Sequence, residues 1–542
     1  MTQSKLQIRL AQLNPTVGDI PHNQMLIEQA INEAQTEGID LIVLPELVLT
    51  GYPPEDLLAQ PDCQQRWQQA IYAILPSTHE IAVVLGAPYQ EGNQLYNAAY
   101  YLYQGQVQQI YTKQILPNYG VFDEKRYFTP GSSTNNYLTI KGFHVGIMIC
   151  EDLWHEAPSE TLSQTNLDAI VTINASPYHV NKFQERLSVL QKHCQTCQAA
   201  MLYTNLVGGQ DDLLFDGRSF IVDNNQQLLS QAQAFTTDHL DCCLSADGLS
   251  LINTMTTKST TDQLAILYEG LTTGIHDYLQ KNHFPGAIVG LSGGIDSALT
   301  LALAVDALGA DHVQAVMMPS VYTSQLSLDL AQEQTQLLGV NYTTLPIDTI
   351  NQSFLETLTD WLPTQPHIAH ENIQARIRGI LLMALSNQTN SIVLATGNKS
   401  ELAVGYATLY GDMVGGFAPL KDVYKTTVYA LAHHRNQKDL VIPQGIIDRA
   451  PSAELAHDQQ DSDSLPPYPI LDQILQYFIE KEASLQTIIH QGYDPKLVNQ
   501  VIRLVLVNEY KRRQAPLGPK TTPKAFQRER RYPVTSGLNQ WF

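Results

Sequence analysis

Residues 287–305, AIVGLSGGIDSALTLALAV, carry the pattern that decides the fold of the second half of the chain. The run begins as a short apolar segment, passes through a loop that contains Gly293 and Gly294, and continues as an apolar helical stretch. Strand, glycine-rich turn and helix in this order are typical of an α/β protein whose helix N-terminus faces an anion. Glycine lets the backbone amides approach that anion, and Ser292 and Ser297 add hydroxyl donors. The sequence therefore predicts a phosphate site.

The loop is not a Walker A motif, because the GxxxxGK[ST] spacing is absent and no lysine follows the glycines. The hexapeptide SGGIDS instead resembles the PP-loop of the ATP pyrophosphatases, which split ATP between its α and β phosphates. The alternative is a tight turn that only packs a helix on a strand, but Asp296 has no packing role in such a turn and suits Mg²⁺. The resemblance implies that the following residues bind ATP: Gly290, Leu291, Ser292, Gly293, Gly294, Ile295, Asp296 and Ser297.

A second strand, turn and helix are predicted in residues 392–412, IVLATGNKSELAVGYATLYGD. Thr396 ends the strand, where a nucleotide lies in an open α/β sheet, and Glu401 offers a second carboxylate to the metal. Further polar candidates for phosphate contacts, for which a solvated surface is an equally good explanation, are Asn372, Arg376, Arg378, Lys425, Ser452 and Lys511.

In the first half, residues 145–154, VGIMICEDLW, form an apolar strand that stops at Cys150. A lone cysteine in this position is more often buried packing than a nucleophile. Two other segments favour chemistry, because Glu46 follows another apolar strand and Lys113 and Glu124 lie in a segment rich in turn residues. Together these residues supply a thiol, a base that can take its proton and a cation for an oxyanion.

These segments resemble the carbon-nitrogen hydrolase (nitrilase) superfamily over about residues 5–245. The resemblance implies a four-layer αββα sandwich in which Cys150 is the nucleophile that forms a thioester. It makes Glu46 the general base, Lys113 the cation that stabilises the oxyanion, and Glu124 the acid that orients the lysine.

Two later segments, INASPYH and GGQDDLLFDGRS, are similar to the glutamine-hydrolysing branch of that superfamily. This similarity implies that Tyr119, Ser176 and Lys182 hold the glutamine substrate. Ordinary hydrogen bonding within loops is the alternative for Tyr119 and Ser176.

The order of motifs in the second half, PP-loop, NIQARIR, TGNKSELAVGY, LYGD and PSAEL, is similar to the NAD synthetase family. With its nitrilase-type first half, the whole chain resembles the glutamine-dependent NAD synthetases. The resemblance implies amidation of deamido-NAD to NAD, the last step of NAD biosynthesis, with ATP, Mg²⁺ and glutamine, releasing AMP, pyrophosphate and glutamate. It also implies a doubly wound parallel-sheet PP-loop domain that forms at least a homodimer, a tunnel for ammonia, and contacts of Asn372, Glu401 and Lys511 with deamido-NAD.

The chain of 542 residues exceeds one ordinary domain, and we predict an α/β protein with two: residues 1–250 and residues 262–542. A linker rich in serine and threonine, residues 245–261, is predicted between them. The net charge of -21 argues against general binding to nucleic acid. The sequence has no apolar run of about 18 residues and no start like a signal peptide, so we expect a cytoplasmic protein without a membrane partner.

Short apolar runs alternate with helical stretches along the whole chain. Residues 183–201 are predicted to form one of the helices. The predicted strands are residues 7–13, 41–44, 82–85, 144–149, 169–173, 201–205, 287–290, 313–318 and 392–396.

Two other functions stay open at this stage. A PP-loop amidotransferase that makes GMP or asparagine would share Ser292 to Ser297, but those families pair the loop with other glutaminase folds. A nucleotide sensor without catalysis would keep the same loop, although every expected catalytic residue type is present. Release of AMP with ATP, glutamine and deamido-NAD separates an enzyme from a sensor.

Overall fold

The computed structural model describes residues 5–132, 136–252, 262–365, 367–452, 454–456 and 459–541. The chain divides into two compact units. The first consists of Met1–Gln210 and Leu214–Thr261, and the second of Asp211–Leu213 and Asp262–Phe542. None of the described helices combines the length and apolar character that crossing a membrane requires.

The first half of the chain contains both strands and helices. In chain order the strands are β1 Leu6–Gln12, β2 Leu41–Val43, β3 Ala82–Glu91, β4 Gln94–Tyr103, β5 Gln106–Thr112, β6 Tyr137–Ile140, β7 Phe143–Ile149, β8 Ala169–Asn174, β9 Ala200–Asn205, β10 Val207–Gln210, β11 Leu213–Asp216, β12 Phe220–Val222, β13 Leu228–Gln231, β14 Asp238–Ser245 and β15 Gly248–Leu251. The helices are α1 Ile20–Thr36, α2 Pro61–Ile74, α3 Glu156–Ser163 and α4 Lys182–Cys197.

Two sheets form the centre of the first unit. Within the described residues, one sheet has the order β15-β14-β1-β2-β3-β4-β5 and the other β13-β12-β9-β8-β7-β6. The sheets pack face to face through apolar side chains such as Ile8, Val43, Val145 and Val171, which are fully buried. Helices α3 and α4 pack on the outer face of the second sheet, and the buried faces of α1 and α2 complete the layers. The predicted four-layer αββα sandwich is confirmed.

The second half of the chain has fewer strands and more helices. The strands are β16 Ala287–Gly290, β17 Val313–Met317, β18 Asn341–Thr344 and β19 Ile392–Leu394. The helices are α5 Gln263–Lys281, α6 Ile295–Leu308, α7 Gln325–Leu338, α8 Asp348–Thr357, α9 Ile368–Thr389, α10 Lys399–Val404, α11 Lys425–Asn436, α12 Gln444–Asp448, α13 Tyr468–Leu475, α14 Leu485–Ile489, α15 Pro495–Val507 and α16 Glu509–Arg512.

A parallel sheet of order β18-β17-β16-β19 lies at the centre of the second unit. Ile288 of β16 packs against Ile377 and Leu382 of α9 on one face of the sheet. Since side chains alternate along a strand, Val289 points to the other face, where α6 packs against β16 and β17. Helices therefore cover both faces, and the predicted doubly wound α/β fold is confirmed.

The predicted strands are present, with ends that differ by a residue or two except for β3, which continues to Glu91. Strands of mixed polarity such as β18 were not predicted from the sequence. This strand has no buried residue, so its sequence lacks the apolar run by which the other strands were found. The predicted helix 183–201 was wrong at its end, because α4 stops at Cys197 and β9 begins at Ala200. The predicted linker was wrong in its first part, where β15 forms, and residues 253–261 lie outside the described residues.

Candidate active sites

The nucleophile predicted in the first unit lies where a buried strand ends. Cys150 follows β7 directly and begins a 3₁₀ turn, Cys150–Trp154. Its φ angle is 43°, in the left-handed region that residues other than glycine seldom adopt, and its side chain is buried. Strained backbone of this kind is maintained only by surrounding packing and is concentrated at functional sites.

The predicted acid, base and cation meet in one buried cluster. Lys113 Nζ donates to Glu46 Oε1 at 2.6 Å and to Glu124 Oε1 at 2.8 Å. The second oxygen of Glu46 accepts the backbone amide of Ala175 at 2.8 Å. The hydroxyl of Tyr52 donates to Glu124 at 2.8 Å. The ammonium is therefore fixed between two buried carboxylates, each of which is held by a further hydrogen bond.

The charges in this cluster set the protonation of its members. Burial alone would lower the pKa of Lys113, but the carboxylates of Glu124 and Glu46 raise it well above its ordinary value. Burial and the charge of Glu46 raise the pKa of the Cys150 thiol, although Lys113 opposes them. Lys113 is therefore a permanent cation, and the resting cysteine is a protonated thiol that needs a base in order to react.

A carboxylate that the sequence analysis did not use connects the cysteine to the lysine segment. Asp152 Oδ2 accepts the amide of Ile149 at 3.1 Å, and its Oδ1 accepts the amide of Ile115 at 2.9 Å. The hydroxyl of Tyr111 donates to Oδ2 at 2.8 Å. Asp152 thus holds the turn of Cys150 against the chain just after Lys113.

The residues predicted to hold glutamine stand around the same turn, but their contacts differ. The hydroxyl of Tyr119 donates to Glu151 Oε2 at 2.9 Å. Ser176 is buried, and its hydroxyl oxygen accepts from Arg186 Nε at 3.1 Å. Lys182 Nζ donates to Glu185 Oε2 at 2.8 Å and lies 4.1 Å from the ring centre of Trp154. These three residues stay predictions, and Lys182 already has an anionic partner.

Two residues near Cys150 were missed by the sequence analysis. Glu151 is a buried carboxylate that follows Cys150 directly, and Arg186 is a buried guanidinium that pairs with Asp216 at 2.7 Å. The sequence shows that Glu151 is next to the cysteine, but it does not show in which direction the side chain of Glu151 points. Nothing in the sequence distinguishes Arg186 from an exposed residue of a helix.

The raised pKa of Cys150 predicts slow alkylation of the free enzyme. With iodoacetamide, we expect little modification of Cys150 at pH 7 and a rate that still increases above pH 9, because only the thiolate reacts and burial disfavours it. The measurement is mass spectrometry of the Cys150 peptide after timed exposure. The control is the same peptide in urea, where the thiol has an ordinary pKa of about 8.5. A rate that reached a plateau below pH 8 in the folded protein would contradict this prediction.

The second unit contains a cavity of about 540 Å³ at the carboxyl ends of β16 and β19. The structure describes all eight residues of the predicted loop, 290–297. Seven of them line the cavity, and Gly293 does not. The predicted binding residues that line it are Gly290, Leu291, Ser292, Gly294, Ile295, Asp296, Ser297, Asn372, Arg376, Arg378, Thr396, Glu401, Lys425, Ser452 and Lys511.

Hydroxyl groups shape the glycine-rich loop. The side chains of Ser292 and Ser297 are hydrogen-bonded at 3.0 Å, and the amide of Gly294 donates to Ser292 Oγ at 3.3 Å. Helix α6 begins at Ile295, so its N-terminus faces the cavity. Gly293 has a φ of 77°, and a Cβ on it would lie 2.6 Å from the carbonyl oxygen of Ser327. Only glycine fits this turn.

Two carboxylates and one ammonium lie together on the wall of the cavity. Lys425 Nζ donates to Asp296 Oδ2 at 2.5 Å and to Glu401 Oε1 at 2.9 Å. Asn398 Nδ2 donates to the other oxygen of Asp296 at 2.9 Å. Burial raises the pKa of Glu401 to about 7, although Lys425 opposes this shift. Carboxylate oxygens that line a phosphate site fit Mg²⁺, which is bound through one or two carboxylates and substrate phosphates.

Two of the predicted residues that line the cavity already have partners within the protein. Asn372 Oδ1 accepts from the hydroxyl of Thr408 at 2.9 Å, and Lys511 Nζ donates to the carbonyl of Gly405 at 2.7 Å. Arg449 and Asp461 also line the cavity and were missed, because they belong to a segment without regular periodicity.

Comparisons with known proteins cover both units of the chain. A family model for carbon-nitrogen hydrolases matches residues 7–246, and one for NAD synthases matches residues 267–515. The glutamine-dependent NAD(+) synthetase of Acinetobacter baylyi is 47% identical over an alignment of 540 residues that covers 98% of each chain. That of Xanthomonas campestris is 45% identical over an alignment of 545 residues that covers 99% of each chain.

A solved structure extends the match to three dimensions. The glutamine-dependent NAD+ synthetase of Acinetobacter baumannii, in complex with ADP, aligns with a TM-score of 0.79 and 44% identity. The alignment covers 98% of this chain and 99% of that one. Because the sequence, both family models and the fold agree over nearly the whole length, the chain belongs to the glutamine-dependent NAD(+) synthetases.

Proposed function

We propose that this chain amidates deamido-NAD to NAD, with glutamine as nitrogen donor and with ATP cleaved to AMP and pyrophosphate. The observation that carries the proposal is the presence, in one chain, of the buried Cys150 cluster and the cavity behind the SGGIDS loop. Residues 1–250 are the glutaminase domain and residues 262–542 the synthetase domain.

Glutamine hydrolysis uses the cluster around Cys150. Glu46 takes the proton of the thiol, Sγ attacks the side-chain amide carbon of glutamine, and Lys113 stabilises the oxyanion. Glu46 then gives the proton to the leaving nitrogen, ammonia departs, and a thioester forms. Water hydrolyses the thioester with Glu46 again as base, which releases glutamate and restores the thiol. Glu124 orients Lys113, with which it is in contact.

Glutamine is held by the residues around the Cys150 turn. Tyr119 and Ser176 supply polar contacts, and the carboxylate of Glu151 suits the α-ammonium group of the amino acid. Lys182 suits the α-carboxylate but has to exchange its partner Glu185 for it.

In the second unit, the carboxylate of deamido-NAD attacks the α-phosphorus of ATP, and pyrophosphate leaves. Adenylation is needed because a carboxylate is a poor electrophile, and ammonia then displaces AMP. The backbone amides of the loop and the N-terminus of α6 bind the pyrophosphate, and Thr396 contacts the nucleotide. Asn372 and Lys511 contact deamido-NAD. Asp296 and Glu401 are the residues that would hold Mg²⁺, and the ion would supply positive charge against the phosphates.

The protein acts as a homodimer or larger homo-oligomer. The second unit leaves apolar side chains of α8 and α9 exposed, among them Phe354, Ile380 and Met383. Apolar groups of this kind on one helical region are typical of protein interfaces. Sedimentation analysis at micromolar concentration measures the assembly.

One assay tests the function directly. The enzyme is given ATP, Mg²⁺ and glutamine together with a panel of carboxylate substrates, and AMP, pyrophosphate and amidated product are measured. The proposal expects AMP and NAD in equal amounts with deamido-NAD alone. Formation of GMP or asparagine, or absence of AMP with every substrate, refutes it.

Gly293→Ala should weaken the use of ATP. The new Cβ would meet the carbonyl of Ser327, so the loop must shift away from its phosphate-binding geometry. Backbone strain of this kind costs about 1–3 kcal/mol, and we expect kcat/KM for ATP to fall roughly tenfold to a hundredfold. Gly309→Ala is the matched control, because Gly309 has a similar φ of 82° but no atom within 4 Å of its Cβ position. Equal losses in both variants would show that the clash is irrelevant.

A further inference from the structure

A buried carboxylate beneath the ATP cavity connects the two helices that carry Glu401 and Lys425. Asp472 lies on α13 and is 2% exposed. Its Oδ1 accepts the hydroxyl of Ser400 at 2.5 Å. Its Oδ2 accepts both the amide and the hydroxyl of Thr426, at 2.9 and 2.8 Å. Asp472 does not line the cavity, and its described contacts thus lie behind the site rather than in it.

The positions of these partners in the sequence make the connection specific. Ser400 immediately precedes Glu401 in α10, and Thr426 immediately follows Lys425 in α11. Ser400 Oγ also accepts the backbone amide of Lys425 at 2.9 Å. The carboxylate therefore binds the first turns of both helices, and in α11 it satisfies a backbone amide that the helix N-terminus leaves without an intrahelical partner.

Helix α13 also contacts the side chains of Glu401 and Lys425 themselves, on the wall of the cavity. Tyr468, its first residue, donates its hydroxyl to Asp461 Oδ2 at 2.8 Å, and the same oxygen lies 3.4 Å from Glu401 Oε1. Its ring lies 5.2 Å from Lys425 Nζ. Lys425 Nζ in turn contacts both Asp296 and Glu401. A displacement of α13 relative to α10 and α11 would alter the spacing between the two carboxylates that face the phosphates.

We propose that Asp472 is a positioning residue for the ATP site, which holds Glu401 and Lys425 at the spacing that the phosphates and their metal ion require. The inference rests on the proposed function, in which these side chains serve ATP and Mg²⁺. Partners of this kind that lie behind the ligands contribute about tenfold to a hundredfold to metal affinity in other proteins.

The test compares Asp472→Asn with Asp277→Asn. Asp277 is also buried, lies on α5 of the same unit and pairs with His276 and Lys281, outside the ATP cavity. Both substitutions remove one buried charge, so a fall in Tm is expected of both. A positioning role predicts that only Asp472→Asn raises the Mg²⁺ concentration for half-maximal ammonium-driven synthesis, by about tenfold or more.

A binding measurement without turnover accompanies the kinetics. Calorimetric titration with α,β-methylene-ATP, which cannot be cleaved between its α and β phosphates, is done with and without Mg²⁺. We expect Asp472→Asn to lose most of the gain in affinity that Mg²⁺ gives the wild type and to keep affinity without Mg²⁺. An unchanged Mg²⁺ dependence with a lower Tm overturns the proposal and leaves Asp472 a structural residue.

Two milder variants keep the proposal testable if Asp472→Asn does not fold. Thr426→Val loses the hydroxyl that contacts Asp472, whereas Thr426→Ser keeps it. The proposal expects a larger shift in Mg²⁺ dependence for valine than for serine, and equal shifts would overturn it. AMP and NAD formation by the unmodified enzyme tests the proposed function separately. If the unmodified enzyme forms neither product, the proposed function itself is refuted.

Discussion

Cys150→Ala should abolish NAD synthesis from glutamine and leave synthesis from ammonium intact. The substitution removes the sulfur that forms the thioester in the proposed mechanism, whereas the cavity belongs to the second unit and keeps its residues. Loss of a catalytic nucleophile lowers turnover by on the order of 10⁴-fold or more. The measurement is NAD formation with glutamine and, separately, with a saturating ammonium salt, together with glutamate release.

The control for this variant is Cys63→Ala. Cys63 is a half-buried thiol on α2, outside the Cys150 cluster, and its loss should leave both nitrogen sources usable. If folded Cys150→Ala protein lost ammonium-driven synthesis as well, the division of labour between the two units would be wrong.

Asp296→Asn should have the opposite selectivity. The amide keeps the shape of the side chain but removes the charge that contacts Lys425 on the wall of the cavity. We expect NAD formation to fall about 10²- to 10³-fold with either nitrogen source, as for other groups that stabilise charge in a transition state. Glutamine hydrolysis, measured as glutamate release without ATP, should continue.

A residue on the same helix provides the control for Asp296→Asn. Asp306 is a second aspartate of α6 that pairs with Arg435 instead of facing the cavity. Asp306→Asn should therefore retain both activities. Amidation at the wild-type rate in Asp296→Asn would remove this carboxylate from the proposed mechanism.

The two variants separate the reactions because each site is built inside one unit from its own strand ends. Cys150 follows β7, and Asp296 lies in the first turn of the helix after β16. Local patterns of this kind, in which an apolar strand meets a reactive residue or a glycine turn, involve few neighbouring residues. They were therefore visible in the sequence before any packing was known.

The roles of charged residues away from such patterns were not visible. Lys182 was predicted to bind glutamine from resemblance alone, but the structure pairs it with Glu185 and Trp154. Lys425 was one basic candidate among several until it was found between Asp296 and Glu401. A lysine side chain is long enough to reach many partners, so its sequence position does not select one.

By itself, the sequence determined the α/β class and the order of the two enzymatic parts. It also predicted Glu46, Lys113, Cys150 and Ser292 to Ser297 as centres of chemistry. The tertiary structure decided which partners surround them. The contact of Lys425 with Asp296 joins residues 129 positions apart, and that of Lys113 with Glu46 joins residues 67 apart. Such contacts depend on how whole helices and strands pack, whereas strand ends and glycine turns are set by residues next to one another in the chain.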